Sequence, residues 1–238
     1  DHKDQAPFDL KRFSDFSQMR ERVAMKLIHT KSNKTLLKEI PSIPFHDLSI
    51  VFYLFLDKDE HGQMTVLIRN DHLPIWNTDT SELYKLAIDN TPRLYPPCIR
   101  SMASLINDML FVNGTLIQPS FAAASPNALD LTDTPIPLSI LTNTSGIFGA
   151  SAMLYPGVLK EFSKKIGHDL IILPSSVHEV LLLPYDSTYS FQEMADMVKD
   201  VNEKCVPVEE QLSNQVYYYS STQDSIFLGG DPASRILS

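Results

Sequence analysis

Cysteine is almost missing from this chain. Cys98 and Cys205 are the two in 238 residues, far apart and outside any C-x-x-C, which excludes a disulfide framework and a zinc knuckle and points to a reducing cytoplasm. Glycine is also scarce, with eight residues and none spaced as G-x-G-x-x-G or as a phosphate-binding P-loop. Long apolar runs are lacking. The longest, Leu48 to Leu56, is interrupted by Ser49 and falls short of the roughly 20 residues that a membrane helix needs. Positive charge is in deficit, 20 Lys and Arg against 29 Asp and Glu for a net −9, with no basic cluster that could bind nucleic acid. The acidic balance favours solubility.

Metal and calcium patterns are missing too. The seven histidines never fall at helical i, i+3 or i+4 spacing and no H-E-x-x-H occurs, while Asp57, Asp59 and Glu60 lack the alternation of a calcium loop. Neither a metal nor a cofactor is expected. The triplets N-x-[ST] at Asn33, Asn113 and Asn143 would matter only in a secreted eukaryotic protein. No internal repeat is visible.

What is present, 43% hydrophobic and 21% charged residues, describes a globular chain able to bury a substantial core. The stretch Tyr155–Pro184 organises it. Pro156 suits the first helical position and Gly167 a left-handed stop, and Leu159, Phe162 and Ile166 make an apolar stripe between them. A strand over 169–173, the turn residues Pro174 to Val177, and a strand over 178–183 then read as an antiparallel hairpin.

Before this stretch, Phe16, Met19, Val23 and Leu27 advance by threes and fours, which predicts an amphipathic helix from Asp15 to about His29. A short helix over 34–39 must end before Pro41. Residues 48–56 and 64–68 read as a hairpin around a turn at 57–62. Asp79 with Glu82 opens a helix that Pro92 ends, residues 91–97 form a rigid connector, and Ser101 caps a further helix carrying Met102, Leu105, Ile106 and Met109. Residues 114–137 have no sustained period and read as a linker.

Beyond the linker, 138–142 resumes as a strand, and Gly146 to Ala152 form a small-residue passage where backbone can approach backbone. Ser190 and Glu193 form a capping box, with Tyr189 and Met194 as the staple and Phe191, Met194, Ala195, Val198 and Val201 facing inward. Residues 216–219 and 225–228 read as a closing hairpin, and alternation along Tyr217, Tyr218 and Tyr219 predicts at least one exposed ring. The expectation is an α+β protein of two associated lobes, 15–113 and 138–229, each with a largely antiparallel sheet flanked by helices.

Ser175, Ser176, His178 and Glu179 are the most tempting chemistry, since serine, imidazole and carboxylate together suggest a hydrolase. Against it, a triad draws its members from separate segments, neighbours in an extended strand face opposite ways, and no G-x-S-x-G elbow is present. Cys205 sits past the wrong end of a helix for thiolate activation. Arg93, between prolines, is expected to anchor structure through a carbonyl or carboxylate. His72, Arg93, Ser175, Ser176, His178 and Glu179 make up the candidate surface.

The segments LSIVFYLFLD, TVLIRNDHLPIW, NTPRLYPP, AMLYPGVLKEFSKKIGHDLIILPSSVHEVLLLP and VNEKCVPVEEQLSNQVYYY resemble the bacterial domain-of-unknown-function family numbered 5688. They cover most of residues 15–220. Its members are longer at the N-terminus, so the resemblance implies a segment before Asp1. A fainter likeness, in the order of elements around 146–205, is to the uncharacterised family numbered 1444. Neither resemblance implies an activity or a functional residue. The residues favour a non-enzymatic cytoplasmic binding or interaction protein, with an unidentified protein or small ligand as partner and neither nucleic acid nor membrane. The alternative is a hydrolase or ligand-processing enzyme assembled from distant polar groups, among them His72, Arg93, Ser176 and His178.

Overall fold

The computed structural model describes residues 15–59, 62–102, 138–174 and 176–230. The expected helix beyond Ser101 and the expected linker lie outside these. The fold is α+β, with two antiparallel sheets and several helices. In the first sheet the long strand β3 (Leu48–Asp59) pairs on one side with β1 (Val23–His29). On the other side it pairs with β2 (Ser42–Phe45) and then, from Tyr53 onward, with β4 (Gly62–Leu67) in a ladder that a bulge between Phe55 and Asp57 interrupts. The second sheet has the order β10-β9-β7-β8-β6-β5. Its strands are β5 (Pro97–Ser101), β6 (Ser139–Asn143), β7 (Leu170–Leu173), β8 (Val180–Pro184), β9 (Tyr217–Ser220) and β10 (Ser225–Leu228). β5 comes from the chain before the undescribed stretch and pairs with β6 beyond it.

The two sheets contribute to one buried cluster. Val23, Met25, Leu27, Leu48, Ile50, Phe52 and Leu54 of the first meet Leu141, Leu170, Ile172, Val180, Leu182, Tyr217 and Tyr219 of the second. Each such side chain removed from water contributes about 1.5–3 kcal/mol, which makes this cluster the main support of the fold. The alternate residues of the second sheet, Ile171, Leu181 and Leu183, bury against Val198, Phe191, Met194 and Ala195 of the helix α5 (Phe191–Cys205). Both faces of the second sheet are therefore covered.

Local signals place the helix ends. The Asp79 carboxylate accepts the Glu82 N–H at the start of α3 (Thr80–Leu94), and the Ser190 hydroxyl does the same for Glu193 in α5. Gly167, at φ 76°, closes α4 (Val158–Ile166). That helix begins two residues later than expected, at Val158 with Gly157 as its cap, so Pro156 precedes it instead of taking its first position.

Several expectations are corrected. The helix expected over 15–29 is a single turn, α1 (Phe16–Met19), then a 3₁₀ turn (Arg20–Arg22), then β1. Apolar residues on both faces of β1 are buried, so its hydrophobic pattern satisfied a helical period by coincidence. The helix expected at 34–39 is a 3₁₀ turn, Leu36–Lys38. Pro92 does not end α3, which runs on to Leu94 with its last turn closed by the Tyr95 N–H on the Thr91 carbonyl at 2.8 Å. The connector expected at 91–97 is the end of α3 and the start of β5, and Ser101 lies in that strand. The three tyrosines of 217–219 are all buried, at 0, 4 and 2% exposure, because the sheet is covered on both sides.

β1 is an edge strand, yet its outward backbone groups are not bare. From α3, Asn90 Nδ2 donates to the Val23 carbonyl at 3.1 Å and the Thr91 hydroxyl accepts the Met25 N–H at 3.1 Å. Two buried polar side chains thereby replace a neighbouring strand and block further pairing along that edge.

Candidate functional site

The loop between β7 and β8 carries the serine, imidazole and carboxylate, and a second loop clasps it. Val177 N–H donates to the Glu210 carbonyl and Ser213 N–H to the Pro174 carbonyl, both at 2.9 Å, and Ser176 bridges to Gln211. β8 begins at Val180, so His178 and Glu179 lie in the loop and strand alternation does not separate them as expected. Ser175 lies outside the described residues.

Ser176 is buried, and its Oγ accepts the backbone N–H of His178 at 3.0 Å. The imidazole is engaged elsewhere. Its Nδ1 accepts the Phe148 N–H at 3.3 Å, its Nε2 lies 3.6 Å from Glu210 Oε1, and its ring stacks on Phe148 with centroids 6.1 Å apart. An Nδ1 that accepts leaves Nε2 as the protonated nitrogen of the neutral ring, facing a carboxylate. Neither nitrogen is then available to take a proton from Ser176. Burial raises the pKa of Glu179, with His178 opposing the rise, Glu210 adding to it and Ser176 opposing it.

Phe148 holds this arrangement together at a cost. Its backbone is left-handed, φ 54° and ψ 25°, a region where a bulky side chain is an outlier costing on the order of 1–3 kcal/mol. It opens the 3₁₀ helix Gly149–Leu154, whose first residue fits against β6 and the His178 carbonyl with no room for a side chain. The Phe148 ring also meets Tyr53 edge-on at 5.7 Å and lies 4.0 Å beneath the Lys26 ammonium. Burial lowers the pKa of that lysine.

His72 and Arg93 do not join the cluster. His72 begins α2 (His72–Trp76), packs against Trp76, and accepts the Arg69 N–H at 3.1 Å; burial lowers its pKa, Asp71 opposes this and Arg69 adds to it. Arg93 donates to the Glu21 carbonyl at 3.0 Å and to Asn90 Oδ1 at 3.2 Å, bonds that anchor α3 to the turn before β1. Sequence reasoning missed Lys26, Phe148 and Glu210. Lys26 left a signal, a lone charge inside the apolar run VAMKLIH, whereas nothing in the sequence marks the other two.

The open space lies elsewhere. A depression of about 450 Å³ at the N-terminus of α5 is lined by Tyr185, Tyr189, Phe191, Gln192 and Gln215 among others, with no carboxylate, imidazole, amine or thiol in its wall. Among the described residues no three His, Cys, Asp or Glu side chains are grouped to hold a metal, and no helix is long and apolar enough to cross a membrane. The cluster at 176–179 can orient a loop and respond to protonation, and the depression can take up an uncharged molecule.

No curated protein and no solved structure matches the chain. The model of a family of unknown function, DUF5688, matches residues 1–221, in keeping with the segments that resembled it, and the chain belongs to that family.

Proposed function

We propose that this is a non-enzymatic binding protein of the cytoplasm that holds a small uncharged ligand in the depression beside α5. The observation that carries the reading is the wall of that depression, aromatic rings, hydroxyls and carboxamides with no carboxylate, imidazole, amine or thiol beside them to act as a base or to activate a nucleophile. Aromatic surface supplies contact area and the two glutamines supply paired donors and acceptors. Catalysis at the 176–179 loop has less support, since both nitrogens of His178 are occupied away from Ser176. The two free cysteines and the net charge of −9 fit a reducing compartment and a partner other than nucleic acid.

The test is a thermal-shift screen of uncharged polar small molecules, with hits followed by one-dimensional NMR of the ligand. The expected result is a hit recovered chemically unchanged, with affinity weakened about tenfold or more by Gln215→Arg, a change at an exposed rim position. Conversion of the ligand, or hits that bind equally to the Gln215→Arg protein, would overturn the proposal.

A further inference from the structure

We propose that Lys26 and the ring of Phe148 form a binding site for a small carboxylate, distinct from the depression beside α5. Lys26 is the one charged residue of β1 and stands between Met25 and Leu27, both fully buried. Its residue is partly exposed, so solutes can reach the ammonium from the water side. An ammonium carries three N–H donors. Among the described residues the partner of Lys26 is the π face of Phe148, 4.0 Å away, with no carboxylate in ion-pair range and no oxygen accepting from it. The depressed pKa agrees, because burial acts on this group with no opposing negative charge.

The ring beneath the ammonium is not there by default. Phe148 holds a left-handed backbone and is fixed by its N–H on His178 Nδ1 and by the flanking Tyr53 ring. Strain retained to position one ring under one cation marks a prepared site. A cation on an aromatic face, short of an anion, recognises a negatively charged group with an apolar body. A carboxylate suits it better than phosphate, since Glu210 faces the same His178 that stacks on Phe148 and would repel a dianion more strongly.

The experiment compares sodium benzoate, sodium acetate and inorganic phosphate with sodium chloride at equal ionic strength, reading the melting temperature of the full chain at pH 7. Benzoate is expected to raise it by about 2–4 °C near saturation, and Lys26→Met to abolish that rise. An equal rise in parent and Lys26→Met, no rise with either carboxylate, or a rise with phosphate alone would each overturn the proposal. Should Lys26→Met fail to fold, the Lys26 side-chain carbon signal of the parent provides the readout. It is expected to shift on adding benzoate and not chloride, and a signal that stays still refutes the site.

Discussion

The Tyr217 hydroxyl donates to the carboxylate of Asp47, a residue 170 positions earlier, and so fastens the β2–β3 turn of the first sheet to the β9–β10 ribbon of the second. Ser213 Oγ donates to the other Asp47 oxygen at 2.6 Å. Next to it His46, at φ 53°, stacks on the Tyr217 ring with centroids 5.4 Å apart and donates from Nε2 to the Ile226 carbonyl at 3.0 Å. Burial, reinforced by the charge of Asp47, pushes the Tyr217 phenol far above its ordinary pKa, so it stays a donor at any physiological pH.

Tyr217→Phe isolates this contact, because the ring stays and only the donor to a charged acceptor goes. The expected loss is about 1.5–3 kcal/mol in urea unfolding, with the slope of the transition unchanged. A loss below about 0.5 kcal/mol would mean that water replaces the phenol at Asp47.

The covered edge of β1 gives a second test. Thr91 is buried, and its hydroxyl both accepts the Met25 N–H and donates to the Ala87 carbonyl. Thr91→Val keeps the shape and strands a buried backbone N–H. Destabilisation of roughly 1–3 kcal/mol is expected, against about 0.5–1 kcal/mol for Thr91→Ser, which keeps the hydroxyl and loses only a buried methyl. Equal losses in the two variants would point to packing rather than to the hydrogen bond.

Glu179 carries a pH dependence of predictable sign. Burial first, and Glu210 with it, hold its folded pKa above the ordinary glutamate range, while His178 and Ser176 pull the other way. The folded state then keeps its proton longer than the unfolded chain, so stability falls as pH rises from the unfolded toward the folded pKa, and the penalty persists above it. Glu179→Gln is expected to raise the melting temperature at pH 7 and leave it unchanged well below pH 4. An increase of equal size at both pH values would refute the assignment.

Much of this fold was legible because its signals are local. The caps at Asp79 and Ser190, the stop at Gly167 and the β7–β8 hairpin each depend on residues a few positions apart. β1 was not legible, since a strand buried on both faces has no period of two to display, and Phe16, Met19, Val23 and Leu27 happened to fit a helix. Exposure of a β9 tyrosine was predicted wrongly for the same reason, because Tyr218, on the second face, is covered by the Tyr185 ring edge-on at 5.0 Å and by nothing within the strand itself. At the candidate site, Ser176, His178 and Glu179 were found through adjacency in the chain. Phe148 and Glu210 reach His178 from other elements and Lys26 reaches Phe148, and a left-handed phenylalanine leaves no trace that a glycine would have left.

Gly149 joins the site to the sheet, and its replacement gives the sharpest structural test. A Cβ there would lie 2.1 Å from Thr142 Oγ1, 2.4 Å from the His178 carbonyl oxygen and 2.8 Å from the Asn143 nitrogen. Two of those atoms are backbone, in β6 and in the loop that carries His178, so neither can rotate away as a side chain would. The hydroxyl of Thr142, which donates to the His178 carbonyl at 2.8 Å, would be displaced as well. Gly149→Ala is therefore expected to destabilise by about 3 kcal/mol or more, at the upper end for overpacking. It should also disturb the amide signals of Phe148 and His178 before those of β9. Gly146→Ala is the control, at φ 70° with nothing within 4 Å of its Cβ, where backbone strain alone applies and costs about 1–2 kcal/mol. If the two variants melt alike, the close approach at Gly149 does not hold the loop.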